Sequence, residues 1–252
     1  MLQRAIEIDC RGGKIRGMAY LPDHTKRLAT VLMLHGFTGQ RIESGFMFVQ
    51  LARQIAQRGM AAVAFDFRHS GESDGSFDQM LVSGEIDDAL HVTRWLRAQP
   101  FVDRSRLGVL GFSLGGLVAA SANARIGAYN AMVLVAPTTQ TNLGRYAQQQ
   151  REDDRVVLGP HMLHPEFFDD LAGLDPLSDV VVHPRPTLVV QGTADKTVTP
   201  QVTQQFIDAM NHAGVPVTVQ MIDGADHSFT QPQMRQQLIV TVSEWLTDLW
   251  GG

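Results

Sequence analysis

Short, continuous runs of apolar residues alternate along the chain with segments in which apolar residues recur every three or four positions. The continuous runs are typical of buried strands, and the periodic segments are typical of amphipathic helices. Strands are predicted in this way at 29–34, 60–65, 107–110, 131–135, 187–190 and 217–222. Helices are predicted between and after them, at 46–58, 85–96, 113–125, 201–213 and 233–249.

The chain begins with a different pattern. Residues 3–8 and 14–20 alternate apolar and polar positions around Arg11-Gly12-Gly13, which predicts an antiparallel hairpin at a sheet edge. Over the remaining chain, strand alternating with helix indicates right-handed crossovers. The sequence therefore predicts an α/β fold with a doubly wound, mostly parallel sheet of about eight strands, whose ligands bind at the carboxyl ends of the strands.

One segment, residues 138–185, interrupts the alternation of strands and helices. It is about three times longer than an ordinary connection, and insertions of this length are usually lids or binding loops. The sequence thus predicts a core of residues 1–137 and 186–252, with residues 138–185 (the insertion) forming a small cap over the ligand-binding edge. Phe167 and Phe168 lie near the start of a short predicted helix and are expected to contact substrate. The alternative is a solvated loop that only covers helices.

The predicted strand 107–110 turns sharply into the predicted helix that follows it. Ser113 lies at the turn, with Gly111 two residues before it and Gly115 two residues after it, which is the G-x-S-x-G pattern of a nucleophile elbow. A turn this tight strains the serine backbone and leaves no room for neighbouring side chains, a need that the glycines meet. The helix N-terminus then places backbone N–H groups beside the hydroxyl. A glycine-rich turn with a solvated serine is the alternative.

Two residues with the chemistry that a nucleophilic serine needs follow predicted strands. A serine hydroxyl requires a general base, and the base requires an orienting partner. Because the carboxyl ends of parallel strands share one edge of a sheet, Ser113, Asp195 and His227 are expected to meet there as a catalytic triad. Asp226 and Asp223 are weaker candidates for the orienting carboxylate, since both lie in the turn beside His227.

Two backbone amides are expected to form an oxyanion hole. One is the N–H of Leu114, directly after the serine, and the other is the N–H of Phe37, in the loop after strand 29–34. Gly36 allows this loop to approach closely, and the Phe37 side chain is expected to form a wall of the acyl pocket. His35 is expected to brace the loop through hydrogen bonds.

Composition narrows the range of partners. The 252 residues include 44% hydrophobic and 19% charged residues, as in ordinary globular domains. The net charge of −5 argues against nucleic acid or an anionic membrane as the main partner. The first residues lack the apolar core of a signal peptide and no run has the length of a membrane span, so cytoplasmic residence is expected. The single cysteine, Cys10, excludes an internal disulfide.

No metal or other cofactor is expected. The insertion contains histidines and acidic residues whose spacing matches no established zinc or calcium site, so a solvated acidic helix face is favoured. These residues are His161, His164, Glu166, Asp169 and Asp170. The expected partner is a small-molecule ester, and the sequence leaves a homodimer open.

Taken together, the motifs resemble the α/β-hydrolase superfamily along nearly the whole chain, and within it the bacterial cinnamoyl (feruloyl) esterases. The matching pieces are His35-Gly36-Phe37-Thr38-Gly39, Phe65-Asp66-Phe67, Gly71-Glu72-Ser73-Asp74-Gly75, residues 111–116, and Gly224-Ala225-Asp226-His227-Ser228-Phe229. The resemblance implies Ser113, Asp195 and His227 as the triad and the N–H groups of Phe37 and Leu114 as the oxyanion donors. These are the same residues that the motifs indicate.

Two departures from that family concern the substrate. The family's elbow commonly reads Gly-His-Ser-Gln-Gly-Gly, whereas Phe112 and Leu114 flank the serine here and make the neighbouring pocket more apolar. The family's cap aspartate, which binds a phenolic hydroxyl, has no acidic counterpart in residues 138–144. The resemblance implies a serine carboxylic-ester hydrolase that acts on small to medium acyl or aryl esters through an acyl-enzyme, with cinnamoyl or feruloyl esters among the candidates. A peptidase, lipase or acyltransferase of the same fold, and a non-catalytic ligand-binding protein, are the alternatives.

Overall fold

The structure is a computed structural model that describes residues 1–10, 13–23 and 27–251. Its strands are β1 (Leu2–Cys10), β2 (Gly13–Leu21), β3 (Leu28–Leu34), β4 (Ala61–Phe65), β5 (Val102–Phe112), β6 (Ala131–Val135), β7 (Arg151–Glu152), β8 (Arg155–Leu158), β9 (His161–Leu163), β10 (Thr187–Gly192) and β11 (Val217–Ile222). Its helices are α1 (Met47–Gln57), α2 (Val82–Ala98), α3 (Leu114–Ile126), α4 (Gln140–Gly144), α5 (Glu166–Ala172), α6 (Pro176–Asp179), α7 (Pro200–His212) and α8 (Pro232–Trp250).

The described residues form one large sheet with the strand order β1-β2-β4-β3-β5-β6-β10-β11. β2 pairs antiparallel with β1 and with β4, and the remaining neighbours in this sheet pair in parallel. The predicted hairpin is therefore present at the sheet edge, although Arg11 and Gly12 of its predicted turn lie outside the described residues. The predicted mostly parallel sheet of eight strands is confirmed.

Helices cover both faces of this sheet and bury two apolar layers. On one face, Phe48 of α1 and Val242 of α8 belong to the same buried cluster as Val31 of β3. On the other face, α2, α3 and α7 pack against alternate residues of the same strands. β3, β4 and β6 are buried along their whole length because both of their faces are covered, which explains their continuous apolar sequences.

The insertion, residues 138–185, contains more regular structure than the sequence predicts. β7, β8 and β9 form a small antiparallel sheet, which the sequence analysis missed because these strands are very short and partly polar. The predicted short helix is present as α5. The backbone N–H of Ser83 donates to Asp170 (2.9 Å), and the hydroxyl of Ser121 donates to Asp179 (2.6 Å). These bonds join α5 and α6 of the insertion to α2 and α3 of the core.

A buried acidic pair lies on α2. Glu85 is 3% exposed, and its Oε2 has no hydrogen-bond partner within the described residues. Asp88, one turn later, accepts from the backbone N–H of Arg68 (2.8 Å) and from its Nε (2.7 Å). Burial, and after it the neighbouring charge of Asp88, raises the pKa of Glu85 well above its ordinary value of 4.5. The folded protein therefore favours the neutral form of the Glu85 carboxyl.

We expect Glu85→Gln to remove part of the pH dependence of stability. Because the pKa of Glu85 is raised by folding, its contribution to stability is fully present below pH 4.5 and is lost as pH rises through the raised value. The variant should match the wild type near pH 4.5. In alkaline buffer it should exceed the wild type by about 1–3 kcal/mol in the free energy of unfolding.

Urea unfolding of both proteins across this pH range measures the difference. Glu152→Gln, which alters an exposed carboxylate on β7, is the control. Identical pH dependence in Glu85→Gln and the wild type would contradict the prediction.

Candidate active site

The junction between β5 and α3 holds Ser113 in a strained backbone conformation. Its φ is 53° and its ψ is −114°, a region that residues with side chains rarely adopt. A Cβ on Gly111 would lie 2.0 Å from the Gly115 carbonyl oxygen, and a Cβ on Gly115 would lie 2.1 Å from the Leu34 carbonyl oxygen. The N–H of Ser113 donates to the Val135 carbonyl (2.9 Å), which ties the junction to β6. β5, α3 and the end of β3 are thus so close at this turn that only glycine fits at the two positions near the serine.

The structure places His227 between Ser113 and Asp195, within hydrogen-bond distance of both. Nε2 of His227 lies 3.1 Å from Oγ of Ser113, and Nδ1 lies 2.7 Å from Oδ2 of Asp195. With its proton on Nδ1, the imidazole donates to the carboxylate and leaves Nε2 to accept from the serine hydroxyl. The Phe112 ring packs against the imidazole, with the ring centroids 4.9 Å apart. The serine hydroxyl therefore faces a proton acceptor whose orientation the carboxylate and a ring contact fix.

Hydrogen bonds hold the Asp195 carboxylate in place. Its Oδ1 accepts from the backbone N–H groups of Thr197 (2.8 Å) and Val198 (2.9 Å). Its Oδ2, which also contacts His227, accepts from Nε2 of Gln191 (3.2 Å). Gln191 is buried directly before this loop, and the sequence analysis missed its role because a glutamine at a strand end carries no distinctive signal.

The two rival aspartates stabilise local turns. Asp223 accepts from the hydroxyl of Thr193 (3.0 Å), and Asp226 accepts from the backbone N–H of Thr230 (2.8 Å). Hydrogen bonding with Thr230 lowers the pKa of Asp226. Within the described part of the chain, Asp195 is thus the carboxylate that hydrogen-bonds the imidazole.

The loop between β3 and α1 lies directly against the serine. A Cβ on Gly36 would lie 3.3 Å from the Cβ of Ser113. The Gly36 carbonyl accepts from Nδ1 of His35 (2.9 Å) and from the N–H of Gly39 (3.0 Å). The Gly36 N–H donates to Oε1 of Glu43 (2.7 Å). The sequence analysis missed Glu43, because a lone glutamate shortly before a helix resembles an ordinary residue of a helix start.

His35 is buried and neutral. Burial lowers its pKa, and its Nε2 accepts from the backbone N–H of Phe67 (3.2 Å). With a proton on Nδ1, both ring nitrogens have a partner, so the imidazole joins the loop after β3 to the loop after β4. This arrangement agrees with the bracing role predicted for His35.

Both predicted oxyanion donors belong to peptide groups beside Ser113. The Leu114 N–H lies in the first turn of α3, where amides have no acceptor within the helix. The Phe37 N–H follows Gly36, the residue that packs on Ser113. Their part in stabilising an oxyanion stays a prediction.

A cavity of about 850 Å³ opens at Ser113 and His227. The loop after β3 contributes Phe37 to its wall, and the insertion contributes Tyr146 and His161. The rings of Phe37 and Tyr146 lie with their centroids 6.0 Å apart. The cavity therefore has one aromatic side, which both the core and the insertion supply.

Phe167 and Phe168 do not appear on this wall within the described residues, contrary to the prediction that they contact substrate. Phe167 is fully buried and stacks behind Phe37, with the ring centroids 5.4 Å apart. Phe168 packs edge-on against Phe167 and joins the apolar layer beneath the insertion. Burial of both rings against the core stabilises the insertion by removing apolar area from water, so Phe167 supports the cavity wall from behind.

The histidines and acidic residues of the insertion, the candidate metal ligands in the sequence, make separate contacts. His161 packs against the Phe77 ring (4.4 Å between centroids), and Asp170 accepts from Ser83. No group of three or more His, Cys, Asp or Glu residues in the described ranges is placed to hold a metal ion. The helices that the structure describes also include none with both the length and the apolar character of a membrane span.

Comparison with known proteins places the chain among hydrolases. The model of the prolyl oligopeptidase family matches residues 46–252. The structure of Est1E from Butyrivibrio proteoclasticus with bound ferulic acid superposes with a TM-score of 0.86 at 20% identity, over 97% of this chain and 98% of that chain. This likeness shows the α/β-hydrolase fold.

Curated relatives are longer than this chain. Dipeptidyl peptidase 4 of Sus scrofa is 24% identical over 255 residues, which cover 95% of this chain and 32% of that protein. An uncharacterized 31.7 kDa protein of Escherichia coli is 30% identical over 96 residues, which cover 38% of this chain and 32% of that protein. The matched part thus spans about a third of the length of these relatives.

We expect Gln191→Leu to destabilise the fold around Asp195. The substitution removes the donor to Oδ2 and deprives the Thr203 hydroxyl of its acceptor, Oε1 of Gln191 (2.6 Å). Leaving these buried groups unpaired should lower the free energy of unfolding by about 1–3 kcal/mol in urea titrations. Gln204→Leu, at an exposed position of α7, is the control. Equal stability of the two variants would contradict the prediction.

Proposed function

This chain belongs to the prolyl oligopeptidase family, and we propose that it is a serine hydrolase that cleaves carboxylic esters of small to medium acyl or aryl groups. The observation that carries the proposal is the line of hydrogen bonds from Asp195 through His227 to Ser113 at an open cavity. In the proposed mechanism Ser113 is the nucleophile, His227 the general base and Asp195 its orienting partner.

The reaction proceeds in two halves. As Oγ of Ser113 bonds to the ester carbonyl carbon, its proton passes to Nε2 of His227. The resulting imidazolium, stabilised by Asp195, then protonates the leaving alcohol as the C–O ester bond breaks, and an acyl-enzyme remains on Ser113. Water attacks the acyl-enzyme in the second half, with His227 again taking and returning the proton. The products are a carboxylic acid and an alcohol, and Ser113 regains its proton.

Negative charge develops on the carbonyl oxygen in both halves. We assign its stabilisation to the backbone N–H groups of Phe37, which follows the Gly36 that packs on Ser113, and of Leu114, which follows Ser113 at the start of α3. Preorganised donors of this kind stabilise the tetrahedral state more than the planar ester, and so they raise kcat.

The cavity favours a small organic substrate. Its volume of about 850 Å³ is in the range of small-molecule sites. The aromatic side formed by Phe37 and Tyr146 suits a flat acyl or aryl group, because aromatic rings contribute favourable stacking beyond area burial. The ferulic acid bound to Est1E, a protein of the same fold, is a ligand of this shape.

Peptidase activity is the second candidate. The family match and the likeness to dipeptidyl peptidase 4 over 95% of this chain favour it. The same three side chains would serve either reaction, so the choice depends on the cavity and on the leaving group.

We expect Ser113→Ala to abolish hydrolysis of p-nitrophenyl acetate and butyrate, because no other group can form the acyl-enzyme. Its kcat/KM should fall by at least about 10⁴-fold. A fluorophosphonate probe should add its mass to Ser113 of the wild type and not to the variant. Ser105→Ala, at an exposed serine on β5, is the control. Equal hydrolysis by wild type and Ser113→Ala would exclude the proposal.

A substrate panel should separate esterase from peptidase. We expect the highest kcat/KM on p-nitrophenyl acetate and butyrate and on methyl ferulate, because these groups fit the cavity and leave as alcohols. Aminoacyl p-nitroanilides and long-chain acyl glycerols should be slower, with Ser113→Ala measured on each substrate as background. Preference for an aminoacyl anilide would favour the peptidase instead.

A further inference from the structure

A buried carboxylate lies in the wall of the cavity and has no part in the mechanism above. Glu43 is 9% exposed and lines the same cavity as Ser113 and His227. Oε1 of Glu43 accepts from the N–H of Gly36 (2.7 Å), and Oε2 accepts from the N–H of Ser44 (3.3 Å). No lysine or arginine among the described residues forms an ion pair with Glu43. A charge without a cation is costly to bury, so its position calls for a functional explanation.

Glu43 is one of the residues that hydrogen-bond the backbone of Gly36. Its carboxylate holds the Gly36 N–H, while His35 and the N–H of Gly39 hold the Gly36 carbonyl. The peptide bond is planar and trans, so fixing the Gly36 carbonyl also fixes the direction of the Phe37 N–H on the opposite side of that bond. Both ends of Gly36, the residue that packs on Ser113, are therefore fixed, and the amide that follows belongs to Phe37, the predicted oxyanion donor.

Several non-glycine residues in and beside the loop that carries Glu43 have positive φ. Glu43 itself has a φ of 57°, and Thr38 and Phe46 have φ values of 58° and 63°. Positive φ is unfavourable for non-glycine residues and persists where the surrounding structure holds the backbone in place. Gly39 is also constrained, since a Cβ there would lie 2.7 Å from Oε1 of Glu43. Gly36 and Gly39 thus both lie against this carboxylate.

We propose that Glu43 is a positioning residue for the oxyanion hole, which holds the Gly36 amide so that the Phe37 N–H points to the oxygen that becomes negative during hydrolysis. The inference rests on the proposed function. In this role the carboxylate touches neither substrate nor the reacting atoms. It acts through the backbone of Gly36 and Phe37, and its effect appears in the transition state.

The kinetic constants supply a readout that a purely structural role would not move. A residue that acts only through the oxyanion donor affects the transition state and not the bound ester, so its loss should lower kcat and leave KM nearly unchanged. An amide in place of the carboxylate keeps an acceptor for the Gly36 N–H and should restore most of the rate.

The experiment compares Glu43→Ala and Glu43→Gln with the wild type on p-nitrophenyl butyrate. Glu43→Ala loses the acceptor, and we expect kcat to fall by about 10–100-fold with KM changed by less than about threefold. A trifluoromethyl ketone, which forms a tetrahedral adduct with an oxyanion, should bind more weakly by the same factor. Glu43→Gln keeps an acceptor for Gly36, and we expect its kcat to stay within about tenfold of wild type.

Asp226→Asn is the matched control. It removes a carboxylate that also interacts with His227, but water screens it and it does not contact the loop of Gly36. We expect its kcat and its affinity for the trifluoromethyl ketone to match those of the wild type.

A failure of this inference and a failure of the proposed function would give different results. Wild-type kcat and wild-type ketone affinity in Glu43→Ala would overturn the inference and leave the proposed hydrolase standing. If Glu43→Ala does not fold, Glu43→Asp decides, because it keeps the charge but withdraws the carboxylate from the Gly36 N–H. Wild-type kcat and wild-type ketone affinity in that variant would overturn the inference. Hydrolysis that persists in Ser113→Ala would overturn the proposed function and this inference with it.

Discussion

The approach of β5 to α3 at Ser113 is the constraint on which the rest of the site depends. Two carbonyl oxygens occupy the space that side chains at Gly111 and Gly115 would need, so the chain can turn this sharply only with glycine at both positions. The strained serine costs about 1–3 kcal/mol, which the buried layers on both faces of the sheet must offset. In return the hydroxyl has one fixed place at the edge of the sheet.

The other groups of the site approach Ser113 from separate loops. Hydrogen bonds, rather than apolar contacts, hold these loops in position. Backbone amides and Gln191 hold Asp195, and Asp195 holds His227. Glu43 and His35 hold Gly36. Hydrogen bonds are directional and are stronger in a buried, weakly polar environment than in water. A network of this kind fixes atomic positions with more precision than apolar packing does. The proposed acyl transfer requires such precise positions.

The sequence predicted those features that depend on burial and strand direction. β3, β4 and β6 were found because covering both faces makes a strand uniformly apolar, and Ser113, Asp195 and His227 were found because parallel strands end at one edge. β5 extends back to Val102 through the half-buried Asp103 and the exposed Arg104 and Ser105, whose polarity hides this part of the strand from a hydrophobic pattern. What the sequence missed depends on tertiary contacts. The orientation of Phe167 and the burial of Glu43 are set by neighbours distant in the chain or by loop geometry, and no local pattern encodes them.

Phe37 joins the chemistry of the site to its selectivity. In the proposed mechanism its N–H binds the developing oxyanion, while its ring forms the cavity wall and contacts Tyr146 and Phe167 of the insertion. The backbone of Phe37 cannot shift without moving the donor, so the ring can adapt to substrates only by rotating about its side-chain bonds. The stacked Phe167 restricts that rotation from behind. Under the proposed mechanism, changes in the insertion should therefore alter which acyl groups fit without disturbing Ser113, His227 or Asp195. The same three side chains could then act on different substrates.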